Sequence, residues 1–211
     1  MKRLWIVGLL AGVLLAGCGG SLNWRQEVLF PDGNVVQVDR GYKLGSRYDQ
    51  EIGTWSAGPP IRGYVLDIPL PGGKGRARWE HDESLTPLAV GYHGGSIYLA
   101  TAPRSCPDYD RYGRPLPAYV FFRFEGEWKR IAVEEFPEEI TNSNLLIGGS
   151  HKEEQDLIAS GYVSLEAQRR LPMYYHRGEL RTINRSKTGG LFARCLKGLQ
   201  QQDEYRREHQ K

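Results

Sequence analysis

The sequence predicts a mainly β (α+β) fold, an antiparallel meander or sandwich of hairpins with short helices in the C-terminal third. Three observations predict it. Paired β-prone runs flank short turn sequences four times between Glu27 and Phe136. The 211 residues include 26 glycines, 12 prolines and 12 tyrosines, a composition that suits strands joined by many turns. After Pro137 the pattern changes to helix caps and helical spacing.

The elements follow in order. "EVLFPDGNVVQVDRGYKL" reads as strand, turn at Pro31-Asp32-Gly33-Asn34, and strand, because Asp-Gly between β-prone runs favours a hairpin. "SRYDQEIGTWSAGPPIRG" has several breakers and no sustained period, so a loop is expected. "YVLDIPLPGGKGRARWE" gives a second hairpin around Gly72-Gly73-Lys74-Gly75, and "PLAVGYHGGSIYLATA" a third with His93-Gly94-Gly95 at its tip. The fourth runs from Tyr119 to Phe124, turns at Glu125-Gly126, and continues from Trp128 to Val133. Ser150 followed by Glu153 is a capping-box pattern, and "HKEEQDLIASG" then stops at Gly161 as a short helix would. Ser164 to Leu171 reads as another helix, ended by Pro172. Leu191, Phe192, Cys195, Leu196 and Leu199 fall on one helical face, which would dock on the sheet. The expected division is residues 26–199 as a single domain and 200–211 as a polar tail fraying into solvent.

The start of the chain has a different character. Lys2 and Arg3 precede an apolar run, Leu4 to Gly17. As a helix that run would be roughly 21 Å long, short of a bilayer core of about 30 Å. Charge, short apolar run and small residues form the layout of a signal peptide, residues 1–17. Its ending, Leu15-Ala16-Gly17-Cys18, resembles the lipobox of bacterial lipoproteins. The resemblance implies cleavage before Cys18, lipidation of its sulfur and freed amine, and membrane attachment. With Gly19 and not Asp after the cysteine, it further implies the outer membrane, periplasmic face. Two or more acyl chains hold a protein stably where one does not. Residues 18–25 are then expected to form a lipidated tether. The segments "LATAPRSCPDYDR" and "YGRPLPAYVFFRFEGEWKRIAVEEFP" resemble a block of uncharacterised proteobacterial lipoproteins, over Trp24 to about Cys195. That resemblance implies no activity.

Cleavage of 17 residues from 211 would leave 194, enough for one domain with a sizeable core. It would take Lys2 and Arg3 from the 28 basic residues, leaving 26 against 25 acidic ones. So even a balance argues against nucleic acid as a partner. Cys106 and Cys195 remain, and in an oxidising periplasm they are expected to pair. That bridge would close a loop of about 90 residues, worth roughly 4–5 kcal/mol by chain entropy.

Chemistry is harder to find. His93-Gly94-Gly95 resembles the oxyanion loop of lipases, but no Gly-x-Ser-x-Gly elbow accompanies it, and a hairpin tip explains the glycines. Asp108 and Asp110 lack the later oxygen ligands of a calcium loop. His81, Asp82 and Glu83 sit in a turn with no second histidine at ligand spacing, and Gly73-Lys74 lacks the rest of a phosphate loop. No metal, cofactor or catalytic residue is therefore expected. The stretch "CPDYDRYGRP" reads as an irregular loop between strong strands. Its Tyr109, Arg111, Tyr112 and Arg114 are residue types enriched at interfaces, making it the candidate partner-binding loop. Arg177, Arg181, Arg185, Lys187, Arg194 and Lys197 form a basic run, read as a solvated face or one that meets anionic headgroups. The expected role is a non-enzymatic binding or structural accessory of the envelope, contacting an envelope protein or a glycan. An inhibitor or immunity protein against a toxin or lytic enzyme, and an envelope-polymer hydrolase, are the alternatives.

Overall fold

The first hairpin joins β1 (Ser21–Leu29) to β2 (Val35–Leu44) through the expected turn. Phe30 N–H donates to Asn34 C=O at 2.8 Å, Asp32 accepts from Asn34 N–H at 3.0 Å, and Gly33 has φ +85°, where a Cβ would be strained. In place of an uninterrupted loop the chain then makes a two-residue ladder, β3 (Tyr48–Asp49) with β4 (Thr54–Trp55). The other three hairpins follow as predicted: β5 (Ile61–Pro69) with β6 (Arg76–Asp82), β7 (Leu85–His93) with β8 (Ser96–Pro103), and β9 (Val120–Phe124) with β10 (Trp128–Ile131). Helix α1 (Cys106–Arg111) separates β8 from β9, and a 3₁₀ turn (Val133–Glu135) follows β10. The last third holds α2 (Lys152–Ala159), β11 (Tyr162–Val163), α3 (Leu165–Arg170) and α4 (Gly190–His209).

This computed structural model describes residues 20–46, 48–49, 54–55, 59–73, 75–147, 152–171, 182–183, 185 and 190–209. Cys18 and the apolar run before it, Ser150 of the capping pattern, and Arg177, Arg181 and Lys187 of the basic run lie outside the described residues.

Two sheets, in the orders β11-β1-β2-β5-β6 and β10-β9-β8-β7, pack into a sandwich. All pairings within them are antiparallel except β1 with β11. Alternation puts Tyr64, Leu66 and Ile68 of β5 inside, in one core with Leu85, Ile97, Leu99 and Val120 of the second sheet. The Trp79 and Phe122 rings meet across the interface at 6.2 Å. Strand β8 is buried on both faces because residues 132–147 cross the second sheet's outer side, where Phe136 and Ile140 pack with Tyr98, Ala100 and Phe121. The crossing is tightest at Gly91, where a Cβ would lie 2.9 Å from Ile140 Cδ1 and 3.1 Å from Pro31 Cδ. Glycine there brings the covering segment against the first hairpin tip.

Strand direction defines two ends. Ser21 pairs with Lys43, Leu44 with Ile61, and Gly63 with Asp82, so the starts of β1, β5 and β7 share one end. Leu29 pairs with Val35 and Pro69 with Arg76 at the other, where Tyr92 of β7 donates its hydroxyl to Pro69 C=O at 2.6 Å.

Four expectations are corrected. Residues 21–25, expected within a tether, are strand instead, because Ser21 already pairs with Lys43. "CPDYDRYGRP" is not an irregular loop: Ser105 accepts from Asp108 N–H at 3.3 Å, Pro107 sits in the first turn, and one and a half turns of helix follow. The polar tail does not start near residue 200, because α4 continues to His209 and Asp203 is ion-paired with Arg114. Cys106 and Cys195 are disulfide-bonded with Cα atoms 5.2 Å apart, and among the described residues α4 packs on α1 where a sheet face was expected.

Candidate functional site

The end opposite Ser21 carries a cleft of about 590 Å³, within the size range of ligand sites. Leu29, Phe30, Pro31 and Gly33 of the first hairpin form one side, residues 139–144 a second, and Leu165, Gln168, Arg169 and Leu171 a third. None of these segments is a regular neighbour of another in a sheet. Amide side chains join them.

Asn144 is the first of these staples. Its Nδ2 donates to Leu29 C=O at 3.0 Å and Val90 C=O at 2.7 Å, while its Oδ1 accepts from Val90 N–H at 2.9 Å. It thereby caps the edge strand β7 and ties it to the end of β1. Gln26 is the second, wholly buried on the inner face of β1. Its Nε2 donates to Asn144 C=O at 3.1 Å and Gln168 Oε1 at 2.8 Å. Gln168 in turn donates to Glu27 C=O at 2.6 Å, and the Glu27 carboxylate accepts from Leu165 N–H at 2.8 Å, holding α3 against β1.

Beneath both lies Arg40, 3% exposed. Its guanidinium donates to Gln26 Oε1 and to Leu146 C=O, each at 2.6 Å, and stands over the Trp24 ring at 5.0 Å. Burial lowers its hold on the proton, and the nearby Tyr42 and Glu154 oppose that. A buried cation whose donors reach a side chain and a loop carbonyl fixes the geometry of both. The walls of the cleft are therefore set from inside the sandwich.

The rim is polar and unevenly charged. Glu139 pairs with His93, and its carboxyl is held low by its own backbone N–H and by His93, against the effect of burial. Arg169 is exposed and makes no hydrogen bond or ion pair among the described residues, whereas its neighbour Arg170 is paired with Glu166.

The sequence-predicted residues lie elsewhere, at the Ser21 end. Tyr109 is completely buried with Ala118 and Cys195, so it presents nothing to a partner. Arg114, at φ +53°, donates to Asp110 Oδ1 at 2.7 Å and pairs with Asp203 of α4. Arg111 donates to Asp82 Oδ2 at 3.0 Å. Tyr112 shares hydrogen bonds with Ser84 Oγ at 2.8 Å and His81 Nε2 at 3.2 Å. The structure does bring these residues together, but as the fastening of α1 to the β6–β7 turn. Serine, histidine and aspartate meet here without making a nucleophile and base. Ser84 is 2% exposed, its hydroxyl donates to Asp82, and His81 Nε2 faces Tyr112. His93-Gly94-Gly95 is a hairpin tip, as expected.

This fastening should be acid-labile. Burial works against the charge on Asp82, yet the hydroxyl and backbone N–H of Ser84, Arg111 and His81 together bring its carboxyl down to about 2, from 3.8 for an ordinary aspartate. A depressed carboxyl contributes stability above about pH 4 that is lost as pH falls through about 2. Urea midpoints are expected to drop between pH 4 and pH 2 and to drop less for Asp82→Asn. Since 46% of the side chain is exposed, solvent screens the difference, which is small. Parallel midpoint curves for the two proteins would refute it.

Among the described residues no three His, Cys, Asp or Glu side chains could hold a metal ion, and no helix is long and apolar enough to cross a membrane. Of the basic run, Arg194 and Lys197 are exposed on α4, while Arg185 donates to Val133 C=O and lies 3.6 Å from Glu138. No model of a protein family matches the chain, and neither does a curated protein or a solved structure. The fold and the site define a β-sandwich with an end-on cleft. The cleft went unseen in the sequence because its lining comes from three separate segments, the first of them more than 100 residues before the other two. The one local signal was "TNSN" (residues 141–144), amides and hydroxyls in a stretch with neither helical nor strand period.

Proposed function

We propose that this protein is a lipid-anchored accessory of the cell envelope that holds a binding cleft away from the membrane, without catalysis. The observation that carries the reading is the course of β1. Ser21 stands three positions after Cys18, and the strand runs from there to the cleft at Leu29. Three residues reach at most about 10 Å, so a lipid on Cys18 would seat the Ser21 end at the bilayer. Nine strand residues then carry the cleft about 30 Å outward. The lipobox and Gly19 favour the periplasmic face of the outer membrane, and the cleft would meet an envelope component there.

Cells fed radiolabelled palmitate test the anchor. The wild-type chain is expected to take up label and to sediment with membranes. Cys18→Ala is expected to lose the label and to appear as soluble or unprocessed protein. Labelling of Cys18→Ala equal to wild type would overturn the reading.

A further inference from the structure

We infer that the cleft takes an extended peptide segment in which a carboxylate stands beside aliphatic side chains, with Arg169 as the anchor for the carboxylate. The inference rests on reading the cleft as a binding site, and it specifies the ligand.

Charge selects an anion. Among the described residues the lining contains one acid, Glu139, which is paired with His93, and one cation without a partner, Arg169. A guanidinium presents a planar fork of donors that matches a carboxylate with two parallel hydrogen bonds. Among the described residues Arg169 has no other partner, whereas Arg40 beneath it and Arg170 beside it are engaged.

Shape and polarity select a peptide among anions. Leu29, 39% exposed, stands on the rim with Leu165 and Leu171, and its cross-strand partner Val35 is 51% exposed at the same hairpin tip. Inorganic phosphate would leave that apolar surface in water, whereas an aliphatic side chain beside the carboxylate would cover it. Thr141 and Asn142, both exposed, supply the hydroxyl and amide that a peptide backbone needs. A sugar finds less. Phe30 is the one aromatic among the described lining residues, and at 2% exposure it offers no ring face for stacking. The anchored orientation also places the cleft far from lipid headgroups.

The cleft walls are held by Asn144, Gln26 and Gln168, so little ordering is needed when a ligand arrives. That suits capture of a flexible chain.

The test uses the full chain in detergent. A random octapeptide library with free C-termini is panned, and enriched peptides are titrated by fluorescence polarisation. Enriched sequences are expected to combine Asp, Glu or the terminal carboxylate with Leu, Ile or Val. Replacing that carboxylate by an amide, or Arg169 by Glu in the protein, is expected to weaken binding about tenfold or more, and Arg169→Lys to retain part of it. Arg169 is exposed, so these variants keep the fold, which circular dichroism checks. Failure of any peptide to enrich, enrichment without a carboxylate, or binding within twofold by Arg169→Glu would overturn the inference. So would Arg169-dependent sedimentation with isolated peptidoglycan, which would make the ligand a glycan. None of these readouts depends on Cys18, so palmitate labelling that persists in Cys18→Ala would fell the anchor alone.

Discussion

Arg40→Ala is expected to cost about 3–5 kcal/mol of folding stability, because hydrogen bonds from a charged donor to buried acceptors are worth about 1.5–3 kcal/mol each. The guanidinium is 3% exposed, and its removal strips a donor from Gln26 Oε1, another from Leu146 C=O, and the nearby positive charge from Glu154. Those groups stay buried, and each unsatisfied one carries its own desolvation penalty of about 1–3 kcal/mol. Against a total stability of about 5–15 kcal/mol, the variant would be marginal at 37 °C. Urea unfolding measures the loss directly. Arg40→Met keeps the volume and removes the charge; paired with Glu154→Gln it should recover part of the deficit. A midpoint for Arg40→Ala that leaves stability within 1 kcal/mol of wild type would show that the network does not hold the segments together. Because Gln26 also carries Asn144 and Gln168, the same variant should loosen the cleft walls before it unfolds the sheets.

The second large effect concerns the bridge. Cys106 and Cys195 are 89 positions apart, and chain entropy puts an upper value of roughly 4–5 kcal/mol on closing such a loop. The realised loss on converting both to alanine is expected at about 2–4 kcal/mol, with a local signature. Helix α4 packs on α1 through Cys195, Leu196 and Leu199, with the Arg114–Asp203 pair further along, and among the described residues these are its main contacts. Freed from the disulfide, it should detach before the sandwich melts. Limited trypsin digestion is then expected to cut at the exposed Arg194 and Lys197 faster than in the oxidised protein. Equal melting temperatures and equal digestion with and without reductant would sink this account.

How far the sequence could be read depended on the range of the interaction concerned. Asp32-Gly33, Gly94-Gly95 and Gly126 act within a few residues, and the hairpins they predict are present. The Ser164 cap is equally local, and α3 starts right after it. Helix α1 was missed though Ser105, Pro107 and Asp108 are proper start signals, because six residues are too few for a helical period to show. Tyr109, Arg111, Tyr112 and Arg114 looked like a binding surface by residue type. In the structure their partners include Cys195, Asp82, Ser84 and Asp203, all remote from them in sequence. Conversely, Gln26 and Arg40 carry no local sign of their burial and lie at the heart of the cleft's support.

The sequence by itself determined the β class and the four hairpins, because turns and strand propensity are properties of short stretches, and the pairing of Cys106 with Cys195 is as expected. Tertiary structure alone decided that the two sheets face each other, that residues 132–147 cover β8, and that three distant segments enclose a cleft. Those outcomes depend on which buried polar group finds which partner. Gln26 meets Asn144 across 118 positions and Gln168 across 142, a choice made by the folded geometry and written in no local pattern.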